Sequence, residues 1–127
     1  MEMVMKIKKN IPPRLFEVGN QVKFNIKDCG SIYLKNDEQV TFKCEEGSEY
    51  DVTKKEWGYY ATPSLNGRLK NFGLKGVLIM NNITRKFFVF LVESGKEKLF
   101  DKYCDQENLS VVCWLDSRES CESLLKK

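Results

Sequence analysis

The stretch KFFVFLVE, Lys86 to Glu93, constrains the fold more than any other part of this chain. In an extended segment Phe87, Val89 and Leu91 fall on one face and Phe88, Phe90 and Val92 on the other, so both faces are apolar. Such a strand suits the middle of a sheet covered on both sides, because an open edge of that kind would template aggregation. We therefore expect it to be central, paired along both edges. The chain has 127 residues, enough for one domain with its own core. Phe87 to Val92 is also its longest apolar run, far short of the ~20 residues a membrane helix requires.

Upstream the pattern has period two. Val22, Phe24 and Ile26 alternate with Lys23, Asn25 and Lys27. Asp28-Cys29-Gly30 reads as a turn, Ser31 to Leu34 as a short strand, and Asn36-Asp37 as a second turn. Val40, Phe42 and Cys44 alternate again, Glu45 to Ser48 turns, and Tyr50 and Val52 open another strand. Residues 15–55 are thus expected to form an antiparallel β-meander with one wet face. Residues 1–14, closed by Pro12-Pro13, read as a flexible basic lead-in, since proline cannot continue a helix or a central strand.

Beyond Trp57 the periods mix. Thr62-Pro63 has the form of an N-cap with proline at the first helical position; Leu65, Leu69 and Phe72 would share one helical face, and Gly73 would close it. The alternative is a hairpin turning on Asn66-Gly67. Gly76 to Met80 reads as a buried strand and Asn81 to Thr84 as a hairpin loop. Ser94 and Glu97 fit a capping box opening a helix with Leu99, Phe100 and Tyr103 inward. Val111 to Leu115 reads as the last strand and 117–127 as a tail that forms a weak helix or frays. The expected fold is α+β: the meander, then a ferredoxin-like βαββαβ arrangement with two short helices over 56–116, a single domain spanning 15–116.

Composition narrows the chemistry. The chain has no histidine, which removes Ser-His-Asp and Cys-His nucleophile systems within it, along with the commonest metal ligand. Its five cysteines, Cys29, Cys44, Cys104, Cys113 and Cys121, are widely spaced without a CxxC; they predict neither a zinc site nor a disulfide scaffold, and most are expected to be small buried hydrophobes. No metal or cofactor is expected, and an enzyme would need a tuned Tyr, Lys or carboxylate. The net charge of +3 does not by itself announce nucleic acid, but its distribution is uneven. Between Lys54 and Lys75 stand Lys54, Lys55, Arg68, Lys70 and Lys75 against Glu56 alone. With no membrane span and no signal peptide expected, cytoplasm is the default.

The candidate site is EWGYYATPSLNGRLKNFG, residues 56–73. A helix starting at Thr62 would offer free N–H groups to an anion, Ser64 a hydroxyl, Arg68 a bidentate fork with Lys70 nearby, and Trp57, Tyr59 or Tyr60 a stacking surface. The competing expectation is that the rings are core and Arg68 is merely solvated. RNA binding on the sheet is the weaker alternative: KFFVFLV lacks the flanking Gly and Arg/Lys of the usual motif. Asp28-Cys29-Gly30 sets a thiol beside an anion, which does not activate it.

YDVTKKEWGYYATPSLNGRLKNFG, Tyr50 to Gly73, resembles a stretch in small uncharacterised bacterial proteins associated with surface-polysaccharide gene clusters, and the similarity runs on through VVCWLD at 111–116. The leading IPPRLFEV lies outside it. The resemblance implies a carbohydrate or nucleotide-sugar context and supplies no catalytic residues. The functional expectation is a small non-catalytic accessory protein that recognises an anionic ligand, such as a phosphorylated sugar or nucleotide-sugar, or a partner enzyme. A small enzyme and a pure protein-interaction module are the alternatives.

Overall fold

The computed structural model describes residues 5–19, 23–61 and 64–125. The fold is mixed α+β and dominated by strands, arranged in three small antiparallel sheets. The first is a long ribbon of β1 (Lys6–Val18) and β2 (Phe24–Tyr33). The second has the order β3-β4-β5, from Gln39–Lys43, Glu49–Lys55 and Gly58–Ala61. The third has the order β7-β6-β8, with β6 at Leu74–Asn81, β7 at Phe87–Glu93 and β8 at Leu109–Trp114. Helices α1 (Arg68–Asn71), α2 (Glu97–Glu107) and α3 (Arg118–Glu122) accompany them, and a short 3₁₀ turn, Ser123–Leu125, follows α3.

Several expectations are corrected. The segment read as a lead-in is most of β1. Its prolines are tolerated because the β1–β2 register shifts between Lys9 and Arg14, so Pro12 and Pro13 lie in an irregularity where no ladder bond is required. Asp28-Cys29-Gly30 is no turn but the middle of β2. Gly30 has φ +148, and a Cβ there would collide with the Lys8 carbonyl oxygen, so the bend of the ribbon depends on glycine.

The largest correction concerns β7. It is an edge strand; β6, whose burial alternates more deeply, is the centre. Strand β5 pairs with β4 and contributes nothing to the third sheet, so the βαββαβ order is not laid out as one ferredoxin-like sheet. Helix α2 begins at Glu97 with Lys96 at the N-cap and no side-chain cap, so Ser94 and Glu97 do not stand at the capping-box positions; Glu97 pairs with Lys75 at 2.6 Å. The tail does form a helix: Ser117 and Ser120 cap α3 reciprocally.

The core sits between the third sheet and α2. Val77 and Ile79 are fully buried and Val92 nearly so, with Phe90, Phe100, Leu109 and Trp114 packed against them. Phe100 meets Phe90 edge-on at 6.1 Å and Trp114 at 5.9 Å, the offset geometry that ring quadrupoles favour. On the other face Leu65 approaches Gly76 so closely that an added Cβ would come within 3.2 Å of its methyl, and Leu69 of α1 is fully buried. Of the five thiols only Cys104 is buried; Cys29 and Cys44 are exposed, contrary to the expectation for most of them.

Candidate functional site

The β4–β5 hairpin carries the aromatic residues singled out from sequence. Lys55 pairs with Gly58, leaving Glu56-Trp57 as a two-residue turn, and Gly58 adopts φ +149 to close it. Trp57 therefore stands at the hairpin tip, 71% exposed. Tyr59 and Tyr60 follow on β5, 61% and 57% exposed, and successive strand residues point to opposite faces. None of the three rings is core. The Lys54 ammonium lies 5.6 Å from the Tyr59 ring centre.

Helix α1 is shorter than expected and begins at Arg68. Thr62 and Pro63, the expected start, lie outside the described residues. The N-cap is Gly67, and the Ser64 hydroxyl accepts the Arg68 backbone N–H at 3.1 Å, so Ser64 works as a local staple. A Cβ at Gly67 would come within 2.5 Å of the Ser64 hydroxyl, so a side chain there would turn that hydroxyl away from the Arg68 N–H. Gly73, with φ +83, follows the helix as a C-terminal glycine should.

The cations of this surface are mostly engaged. The Arg68 guanidinium lies 3.8 Å from Asp51 and 5.2 Å from the Phe72 ring centre, while Thr41 donates to the other Asp51 oxygen at 2.7 Å. Lys55 pairs with Asp37 and Lys75 with Glu97, both at 2.6 Å. Lys70 is exposed and has no side-chain partner among the described residues. Of the three rings, Trp57 is far from the arginine, since Asp51, which holds Arg68, and Lys55, beside the Trp57 turn, lie about 13 Å apart along β4 at ~3.3 Å per residue, whereas Tyr60 pairs with Thr53, two residues from Asp51 on the same face.

A second constellation escaped the sequence reading. Where the second and third sheets meet, the Cys44 thiol donates to Glu93 at 3.3 Å and the Ser48 hydroxyl to the Cys44 sulfur at 3.4 Å. Lys96 bridges Glu93 at 3.1 Å and Glu46 at 2.8 Å. Hydrogen bonds from Ser48, Lys96 and Cys44 hold the Glu93 carboxyl below its ordinary 4.5, and Glu46 with Glu93 holds Lys96 above its ordinary 10.5. The Glu49 N–H also donates to the Phe72 carbonyl at 3.1 Å, so this junction ties the two sheets together. It borders a pocket of about 230 Å³ lined by Gly47, Ser48, Phe72, Glu93, Ser94 and Lys96. Forty-nine positions separate Cys44 from Glu93, and no local spacing signals their meeting. The only hint was an alternation that left Cys44 at a strand end, next to an acidic turn.

Among the described residues no group of three or more Cys, Asp or Glu side chains is placed to hold a metal ion, and no helix is long and apolar enough to cross a membrane. No family model, no curated protein and no solved structure matches this chain.

Proposed function

We propose that this chain is a non-catalytic binding protein of the cytoplasm that docks onto a partner protein through the aromatic edge of β5. The observation that carries the reading is the exposure of three large rings, Trp57 at the hairpin tip and Tyr59 and Tyr60 on β5, a strand whose outer edge has no partner among the described residues. Aromatic side chains with one wet face are the residue types that dominate binding energy at protein interfaces. Tyr59 and Tyr60 point to opposite faces, so one small molecule does not cover both, whereas an added strand with side chains on both faces does. Five free thiols, two of them exposed, suit a reducing compartment.

A second reading keeps a smaller ligand. Lys70 has no side-chain partner among the described residues, and Arg68 is 65% exposed in its side chain and loosely held at 3.8 Å, so a phosphorylated sugar or nucleotide-sugar stacked on Tyr60, which pairs with Thr53 on the Asp51 face of the sheet, would compete with Asp51 for it. That reading agrees with the surface-polysaccharide resemblance of Tyr50 to Gly73.

A photoreactive phenylalanine analogue at position 57 or 60 tests the first reading. It should trap one discrete protein in the source cells, and the same probe at exposed Leu125 should not. A panel of sugar phosphates and nucleotide-sugars tests the second, since a bound ligand raises the Tm by mass action. If a member of the panel raises Tm and Arg68→Ala weakens its binding by roughly 1.5–3 kcal/mol, as expected for a charged hydrogen bond, the smaller ligand is the true one.

A further inference from the structure

Strand β7 poses a physical problem that the described residues of one chain do not solve. It is apolar on both faces yet sits at the edge, with Phe87, Phe88 and Val89 exposed at 54%, 44% and 61%. Beside it, between β7 and α2, runs an open trough of about 560 Å³ lined by Val89, Phe90, Leu99, Phe100 and Tyr103. Leu99, 66% exposed, forms its outer lip. Native edges are normally blunted by charge, proline, a bulge or a covering element. Here the charges, Lys86 and Glu93, stand only at the two ends of the strand.

The hydrogen-bond pattern shows what the edge offers. Asn81 N–H donates to the Lys86 carbonyl at 2.8 Å and Ser94 N–H to the Gly73 carbonyl at 2.9 Å. With the register Leu74↔Glu93 to Met80↔Phe87, antiparallel alternation assigns the backbone groups of Phe88, Phe90 and Val92 to β6. Those of Phe87, Val89 and Leu91 turn to the open side. This is an unused ladder along the most apolar strand of the chain.

We infer that a second copy of this chain covers that ladder, its β7 running antiparallel to the first about a two-fold axis at Val89. The sheet order then becomes β8-β6-β7-β7′-β6′-β8′. Two observations select a second copy over another partner, and a third shows that there is surface for it to cover. The open side is self-complementary: Val89 meets the partner's Val89, and Phe87 meets the partner's Leu91, so every outward N–H finds an outward C=O. The same register, carried two residues past the end of β7, sets Arg85, which has no side-chain partner among the described residues, toward the partner's Glu93, where it would join the carboxyl that Lys96 already holds. Finally, the chain exposes 9747 Å², whereas a compact monomer of 14.8 kDa exposes about 7,000 Å². A standard interface takes about 800 Å² per partner, well within that excess even after the β1–β2 ribbon has its share. A two-fold contact closes on itself, so the edge is consumed without propagating into a fibre.

Sedimentation velocity of the full chain across a hundredfold concentration range is the first test. It should give a species of twice the monomer mass, and amide exchange at Val89 and Leu91 should slow at least tenfold as concentration rises, while Phe88 and Phe90 change little. Val89→Lys and Leu99→Glu, one on the strand edge and one on the helix lip, should each weaken association at least tenfold while leaving the far-UV spectrum and β6 protection intact. Trp57→Ala with Tyr60→Ala should leave the dimer unchanged, which separates this surface from the β5 edge. The inference is overturned by a folded chain that stays monomeric throughout. It is equally overturned by a dimer that survives both Val89→Lys and Leu99→Glu, by one lost on Phe24→Asp in the ribbon, or by open-ended polymers in place of a closed pair.

Discussion

The two ends of this molecule use nearly the same alphabet and reach opposite results. The β1–β2 ribbon has Ile7, Ile11, Leu15, Phe24, Ile26 and Ile32 on its strands, yet none of its residues is buried. The third sheet with α2 encloses Val77, Ile79, Val92 and Cys104. The difference is the helix. A two-stranded ribbon has no layer to close against and is marginal in water by itself, whereas three strands with an amphipathic helix across them exclude water from one face. Within the ribbon, stability rests on local terms: the ladder, the Arg14–Asp28 pair at 3.2 Å, and cations over rings, Lys6 on Tyr33 and Arg14 on Phe16. All its hydrogen bonds and ion pairs between described residues stay inside it. Periodicity marks which residues lie on a face; only a second layer makes that face a core.

The sharpest test of this contrast is a pair of isoleucines. Ile79→Ala should cost about 2–5 kcal/mol in urea unfolding, the usual range for emptying a filled core position. Ile11→Ala, at a site 85% exposed, should stay within ~0.5 kcal/mol. Equal costs would mean that the ribbon has a hidden layer after all.

Next in size is Gly30→Ala. With φ +148 and the Lys8 carbonyl in the way, the side chain forces the ribbon apart at about 1–3 kcal/mol. The damage should be local: faster amide exchange over β2 and unchanged protection over β6. A loss that spreads to β6 would show the two regions to be one cooperative unit.

The smallest effect is electrostatic and belongs to the core half and its junction. Glu97, bonded to Lys75, and Glu93, bonded to Ser48, Lys96 and Cys44, both titrate below their ordinary 4.5. A carboxyl depressed in the folded state lends stability that is complete above its unfolded value and disappears as pH falls through the folded one. Tm should therefore decline as pH drops below about 4.5, and the double variant Glu93→Gln with Glu97→Gln should flatten that decline. Lys75 and Lys96 are raised, so their share is present below 10.5 and fades as pH climbs above it. These groups are largely hydrated, so the slope should be shallow. An acid slope that the double variant leaves untouched would assign the loss to other carboxyls.

How much was legible in advance follows from the range over which each signal acts. The strands around Phe24, Val40, Val52, Leu78 and Val89 were readable because side-chain alternation is a property of a few consecutive residues. Gly73 was placed correctly behind α1 for the same reason, as a local backbone preference. The helix start was misplaced because Ser64 captures the Arg68 N–H, and its hydroxyl competes with the turn that Thr62-Pro63 advertised. At the site, the residue types were legible but their arrangement was not. That the rings of Trp57, Tyr59 and Tyr60 are exposed depends on β5 having no strand beyond it among the described residues, and that Arg68 is occupied depends on Asp51 reaching it from β4.

By itself, then, the amino-acid order determined the strand periods, the apolar character of both faces of β7, the missing histidine chemistry and the cluster of aromatic and basic residues between 54 and 75. Only the tertiary structure decided which strand is central, that β5 joins β4 and not β6, that Cys44, Glu93 and Lys96 meet, and that the ribbon stands apart. The physical reason is that periodicity reports which side of a strand is apolar. Strand order and sheet membership are set by contacts between residues far apart in sequence, whose closure entropy and packing no short window encodes.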